Sequence, residues 1–202
     1  HKLAEEQGYT EYSCSGTPAD CVKLGQKAIL GRNPDLIVSG INHGSNSSVY
    51  VIYSGTMAAV LEGAMENIPA IGFSLNDYTY TADFSKCGPY IHSIVRNVLQ
   101  TGLPSYTCLN VNIPAVNGSP IKGIRIARQA MAYWDEKFDH RKDPHQRDYF
   151  WLTGIFRNRE EGEDTDEWAL RNNYVSVVPV HFDLTSHKTI PLLKEWETGS
   201  LE

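Results

Sequence analysis

The sequence lacks several things, and each absence closes off a class of function. No apolar run approaches the roughly 20 residues that a bilayer-crossing helix needs, and no leader segment is read at the start, so a cytoplasmic protein with no membrane partner is expected. Only 4 cysteines occur in 202 residues (Cys14, Cys21, Cys87 and Cys108), and none are spaced Cys-x-x-Cys. They are too sparse for a disulfide scaffold, and reduced thiols are expected. Positive charge is in deficit, with 18 Lys and Arg against 24 Asp and Glu for a net charge of −6. A surface that grips a polyanion all over is therefore excluded. There is no internal repeat and no low-complexity tract.

What is present is globular: 41% of the residues are hydrophobic and 21% charged. Thr17-Pro18 reads as a helix cap followed by the proline that suits a first turn, and Val22, Leu24, Ala28 and Ile29 then form a candidate buried stripe. Asp35 to Ser39 reads as a strand buried on both faces. A Gly/Asn/Ser-rich stretch follows, and Ser54-Gly55-Thr56 opens a second helix with Met57, Val60, Leu61, Ala64 and Met65 at helical spacing. Pro69 to Ser74 is a strand, Lys86 to Gln100 a helix, and Thr107 to Ile113 a strand with Leu109, Val111 and Ile113 on one face and polar residues on the other. Strand and helix in alternation with short links predict an α/β, Rossmann-like, mainly parallel sheet with helices on both faces. Beyond Pro114 the character changes to strands over Gly123 to Arg128, Tyr149 to Ile155 and Tyr174 to His181, with a terminal helix over Thr189 to Trp196. The expected division is an α/β core over residues 1–120 and a C-terminal part over residues 121–202 that carries a β-rich projecting arm. Leu201-Glu202 reads as an addition to the natural chain, and no function is placed there.

Chemistry concentrates between Asp35 and Glu62. A buried strand runs into a loop holding Gly40, Asn42, His43, Gly44 and Asn46, and a helix begins at Ser54-Gly55-Thr56. In a parallel α/β sheet, ligands bind at the carboxyl ends of the strands. Glycines there let backbone approach a ligand, and a helix start offers unpaired N–H groups, hydroxyls and the positive end of the macrodipole. These features suit a phosphate, and an ordinary capped helix after a glycine-rich turn is the plain alternative.

The strings SGINHGSN (39–46) and YSGTMAAVLEGAMENIPAI (53–71) resemble the SurE (stationary-phase survival protein) family of metal-dependent 5′-nucleotidases. GTPADCVKL (16–24), LNVNIP (109–114), Tyr149-Phe150-Trp151-Leu152 with Gly154, and YVSVVPVHFDLT (174–185) extend the resemblance over almost the whole chain, in the family's order. The resemblance implies hydrolysis of nucleoside monophosphates, and in some members of short polyphosphate, by water activated on one divalent ion, Mg²⁺ or Mn²⁺. It also implies a homodimer or homotetramer joined through the C-terminal part. By position in the motif, Asn42 matches the asparagine metal ligand. Gly40, His43, Gly44, Asn46, Ser54, Gly55 and Thr56 fall in the substrate loop and helix start.

The sequence departs from the family where the metal should sit. The family opens with a strand ending in an Asp-Asp pair, followed by a serine ligand, and no Asp-Asp occurs in these residues. One neutral amide oxygen does not hold a hard divalent ion without carboxylate help. The expectation is a natural protein longer by about one β-α-β unit, roughly 50 residues, with an inactive phosphate-binding or oligomerising fragment as the alternative. Ser47-Ser48-Val49-Tyr50 and Pro144-His145-Gln146-Arg147 also depart from the family pattern.

Other candidates have plain readings. A Ser54 nucleophile would need a base, and His43 is the one histidine near it in sequence. His43 is read as peripheral and His181 as structural. The six carboxylates between Glu160 and Glu167 lack the spacing of an EF-hand and read as a solvated loop. Arg125, Arg128, Tyr133, Trp134, Lys137, Arg141, Lys142 and Arg147 interleave cations with aromatics, as a single-stranded nucleic-acid platform or as an arm that packs on a partner subunit. The arm is preferred, and nucleic acid is not an expected partner.

Overall fold

The computed structural model describes residues 1–115 and 119–198. The chain opens with a two-stranded hairpin, β1 (Lys2–Glu6) and β2 (Tyr9–Tyr12), which turns at Gly8 with φ +79°. The charged Lys2–Glu6 stretch carries no strand pattern, so periodicity gave no sign of this hairpin. Helix α1 (Pro18–Leu24) follows and starts as its sequence predicts: the Thr17 hydroxyl accepts from the Asp20 N–H at 3.2 Å, and the Asp20 carboxylate accepts from the Thr17 N–H at 2.8 Å.

The central sheet comes next. Strands β3 (Ile37–His43), β4 (Ala70–Asn76) and β5 (Thr107–Pro114) run parallel, joined by helices α2 (Gly55–Met65) and α3 (Gly88–Thr101). Parallel neighbours require a crossover, and each helix fills one. Strand β6 (Gly123–Ile126) lies at the far edge. A long hairpin of β7 (Ala132–Lys142) and β8 (Asp148–Asn158) leaves the sheet altogether. Helix α4 (Asp166–Arg171) leads into β9 (Tyr174–His181), which pairs antiparallel with β5 and parallel with β6. The order is therefore β3-β4-β5-β9-β6, with three of its four pairings parallel. A short helix α5 (Ile190–Leu193) continues as 3₁₀ turns over Lys194–Thr198, where a terminal helix is expected. Leu201 and Glu202 lie outside the described residues.

Strand alternation divides the core between the two sheet faces. Ile71, Phe73 and Leu75 of β4 join Leu109, Val111 and Ile113 of β5 against Ile94 and Val98 of α3. On the opposite face Ala70 and Cys108 meet Met57, Val60 and Ala64 of α2. Gly72 is glycine for a packing reason, because a Cβ there would stand 2.8 Å from the Met57 sulfur. Burial drives the Cys108 thiol up to about 12, so it stays protonated and inert.

Several expectations need correction. β3 is an edge strand, with Val38 49% exposed, because among the described residues nothing pairs with its outer side. The stripe Val22, Leu24, Ala28, Ile29 is not buried: Leu24 and Ile29 are 44% and 37% exposed. α1 and the helical turn over Gly25–Leu30 that continues it meet the α2 segment through ion pairs, Lys23 with Glu62 at 3.4 Å and Lys27 with Glu66 at 3.1 Å, and their apolar side faces a hollow beside the β1–β2 hairpin. The carboxylates from Glu160 to Glu167 are not all solvated, and the polar face of β5 is covered as well. Asp166, Glu167, Asn110 and Asn112 are buried. The reason lies in the site they support.

Candidate functional site

The start of α2 is built by local chemistry. Ser54 caps it in extended conformation, and its Oγ accepts from the Met57 N–H at 3.1 Å. The N–H groups of Gly55 and Thr56, in the first turn, have no acceptor within the helix. Ser54 and Gly55 line a cavity of about 530 Å³. The Thr56 Cγ2 stands 3.4 Å from where a Cβ of Gly72 would be, and Thr56 is not among the residues that line the cavity.

Gly40, Asn42 and His43, expected in a loop, belong to the end of β3, and glycine shapes the strand at one point and the loop after it at another. Gly40 has φ +111°, and a Cβ there would meet the Phe73 carbonyl oxygen at 2.2 Å. This close approach coincides with the shift of register between Ser39 and Asn42 in the β3–β4 pairing. Gly44 has φ +100°, and the Tyr78 ring takes the space of its missing side chain. The Tyr78 hydroxyl accepts from the Ser45 N–H at 3.1 Å. Asn42 lines the cavity with its amide nitrogen donating to the Gly44 carbonyl at 2.8 Å and to Asn46 Oδ1 at 3.4 Å. Among the described residues its Oδ1 accepts no hydrogen bond, so that oxygen remains available for a ligand.

The loop is then fastened by residues far away in sequence. Asn112 Oδ1 accepts from the Asn46 N–H at 2.8 Å and from the Ser45 hydroxyl at 2.9 Å. Asn110 donates to the Asn46 carbonyl at 2.9 Å, and Asn46 donates to the Ser74 hydroxyl at 2.5 Å. From the other side Asp166 Oδ2 accepts from the Ser48 N–H at 2.7 Å, while its Oδ1 accepts from the Ala130 N–H at 2.9 Å. Glu167 Oε1 accepts from the Ser47 hydroxyl at 2.5 Å. Burial pushes both carboxyls above their ordinary range, against the backbone N–H donors at Asp166 and the Ser47 hydroxyl at Glu167. The Asp166 charge raises Glu167 further. The polar alternation of β5 and the pair at the end of the acidic run thus serve one purpose: they satisfy a loop that would otherwise bury unpaired amides.

The structure therefore brings Asn42, Asn46, Ser54 and Gly55 to one cavity, while Gly40, Gly44 and Thr56 adjoin those residues in the chain without lining it. His43 is not among the lining residues; it is exposed, and its ring meets Phe84 edge-on at 6.1 Å. The other lining residues include Tyr50, Tyr53, Tyr78, Trp134, Phe156 and Arg171, none of which is among the site residues expected from the sequence. The cations of the 125–147 segment are largely engaged. Arg128 pairs with Asp164 at 2.7 Å and Glu160 at 2.9 Å, Arg141 with Asp139 at 2.9 Å, Arg147 with Asp143 at 2.7 Å, and Arg125 lies over the Trp168 and Tyr174 rings. This is a poor surface for a polyanion.

Taken together, exposed amides at a helix start, an amide oxygen and serine hydroxyls at the carboxyl end of a parallel sheet can hold a phosphoryl group. Comparison with known proteins gives matches over most of the chain. Residues 1–136 match the family profile described as "Survival protein SurE". The chain is 60% identical over 194 residues to a protein named "5'-nucleotidase SurE" from Flavobacterium psychrophilum, covering 96% of this chain and 76% of that one. It is 58% identical over 194 residues to a protein of the same name from Christiangramia forsetii, covering 96% and 75%. Among solved structures, the SurE protein from Aquifex aeolicus superimposes with a TM-score of 0.78 at 40% identity, over 91% of this chain and 74% of that one.

Proposed function

Because this chain belongs to the SurE family, we propose that it is a 5′-nucleotidase, a phosphomonoester hydrolase that splits nucleoside monophosphates into nucleoside and phosphate. The observation that carries the reading is the buried fastening of residues 45–48, which holds Asn42, Ser54 and the first turn of α2 around one cavity. In this reading the Gly55 and Thr56 amides and the Ser54 hydroxyl donate to the equatorial oxygens as charge gathers there, and they do so without reorganising. Water is the nucleophile. Ser54 already accepts the Met57 N–H, and no histidine is among the lining residues to serve as its base. Gly40, Gly44 and Asn46 shape the loop, and His43 acts from its margin.

The family is metal-dependent, and one divalent ion, Mg²⁺ or Mn²⁺, belongs to this reading, with Asn42 Oδ1 as a ligand. When bound, such an ion supplies charge neutralisation and a more acidic water. The described residues offer it little else, since no group of three His, Cys, Asp or Glu among them could hold an ion. They do not form a closed ion site by themselves. The alternative is a body that binds phosphate without turnover.

Self-association into a homodimer or homotetramer is also part of the proposal. It is supported by Phe138, Phe150, Trp151 and Leu152, exposed on a hairpin that pairs with no other strand among the described residues. The division at residues 1–120 and 121–202 is kept in the same sense, with the second part lending β6 and β9 to the sheet and sending β7–β8 out of it. A cytoplasmic location is consistent with four unbridged cysteines, and no helix among the described residues is long and apolar enough to cross a membrane.

The test is phosphate release from a panel of nucleoside 5′-monophosphates and tripolyphosphate with Mg²⁺ or Mn²⁺, run beside binding of inorganic phosphate. Release from 5′-nucleotides is expected. Binding without release selects the alternative, and neither binding nor release removes the phosphate site.

A further inference from the structure

The cavity has two chemically distinct sides. One is the polar floor already described. The other is aromatic and comes from two separate segments: Tyr50 and Tyr53 from the 3₁₀ turns over Ser48–Tyr53, and Trp134 and Phe156 from directly opposed positions at the base of the β7–β8 hairpin. The Tyr50 hydroxyl accepts from the Trp134 backbone N–H and so ties the hairpin to the loop. Phe156 meets the Trp134 ring nearly edge-on, with centroids 5.8 Å apart and planes at 65°. Tyr50 and Tyr53 lie 6.2 Å apart and tilted at 44°. Two of these rings are engaged as supports, and two leave faces open. Tyr53 is 77% exposed and Trp134 is 45% exposed, although both border a pocket.

Exposed aromatic faces beside a phosphate floor call for a ligand with a flat, apolar end and an anionic end. At about 530 Å³ the cavity is within the usual range for small-molecule sites, about 300–1,000 Å³. We propose that Tyr53 and Trp134 form a base-stacking subsite, so that this chain selects nucleotides over simpler sugar phosphates by the π-face of the base. This rests on the proposed nucleotidase reading and deepens it by naming what recognises the base. Stacking is tolerant of base identity because every base has a π-face. The aromatic side therefore separates nucleotides from base-free phosphates, and among the bases it favours the larger purines. Arg171, the cation among the lining residues, adds attraction for the anionic ligand without reading the base.

The test is binding to the full chain, followed by tryptophan fluorescence and calorimetry, with AMP, ribose 5-phosphate and inorganic phosphate as probes. In the unmodified protein AMP should bind about 10-fold or more tightly than ribose 5-phosphate. Tyr53→Ala and Trp134→Ala should each reduce that ratio several-fold and leave inorganic phosphate binding unchanged, while Tyr53→Phe should preserve it. Both positions are exposed, so folding tolerates the changes, and far-UV circular dichroism checks this. Equal binding of AMP and ribose 5-phosphate, or a ratio that survives both alanine variants, overturns the subsite and leaves the phosphate site standing. No binding of any of the three probes overturns the subsite together with the nucleotidase reading.

Discussion

The loop over residues 44–54 and the β7–β8 hairpin border the same cavity, but they are held in opposite ways. Residues 44–48 of the loop are largely buried and fastened by side chains from β4, β5 and α4, so that nearly every polar group near Asn46 has a partner within 3.1 Å, whereas Ile52 and Tyr53 at its end are exposed. The hairpin stands clear of the sheet. It is laced by surface ion pairs such as Arg157 with Asp135 at 2.7 Å, and it meets the loop through the Tyr50 hydroxyl. Groups that must face a developing charge gain from rigidity, because preorganised donors need not reorient at the transition state. Groups that recognise a base by its face can tolerate movement, because stacking has a broad optimum.

The contrast breaks most visibly at Asn42. Asn42→Ala should reduce phosphate release on the order of 10²-fold or more while leaving the thermal midpoint close to that of the parent. Normal turnover refutes Asn42 as a ligand, and an unfolded variant shows it to be a loop anchor instead.

Asp166→Ala comes next. It strands the Ser48 and Ala130 N–H groups in a buried place, and at about 1–3 kcal/mol for each unpaired group the urea midpoint should fall by an amount equivalent to roughly 2–6 kcal/mol. A loss below about 1 kcal/mol would mean that water replaces the carboxylate and that the loop is less rigid than the geometry implies.

A subtler effect is expected at Glu167. Its carboxyl is raised by burial and by the neighbouring Asp166 charge. A raised carboxyl favours the folded state while protonated, and that contribution is lost as pH rises from its ordinary value of 4.5 through the higher folded value. Glu167→Gln keeps an acceptor for Ser47 and removes the titration. Relative to the parent, the variant should therefore gain stability between pH 4 and pH 8, as read by thermal midpoints across that range. A constant difference would show that Glu167 is not held in a buried, raised state. The smallest effect belongs to the hairpin: Arg157→Ala breaks an exposed pair and should cost less than about 0.5 kcal/mol. A larger cost would mean that the hairpin is more tightly built than its exposure indicates.

How much of this was legible in the sequence depends on distance along the chain. The Ser54 cap, the strands on either side of α2 and the crossover order all follow from patterns a few residues wide. Leu109, Val111 and Ile113 announced one face of β5. Asn110 and Asn112 between them mark a second, polar face, and alternation tells that two faces differ and not what covers the second. The acidic run from Glu160 was read as one solvated stretch for a similar reason. Thr165 caps α4 at the last two of those carboxylates, and the turn of that short helix carries them inward. Asp143-Pro144 is a turn signal that could have revealed the β7–β8 hairpin, since the Asp143 carboxylate accepts from both the His145 and Arg147 N–H groups.

The chain by itself determined that a glycine-rich loop leads from a strand into a helix whose first amides are free, because capping, turn formation and helical periodicity act within three or four residues. Only the tertiary structure decided what steadies that loop and what faces it. Asn112 reaches Asn46 across 66 residues, Asp166 reaches Ser48 across 118 and Glu167 reaches Ser47 across 120. Buried amides must find partners wherever folding brings them, and the spacing of residues along a chain carries no record of which distant side chains will be there.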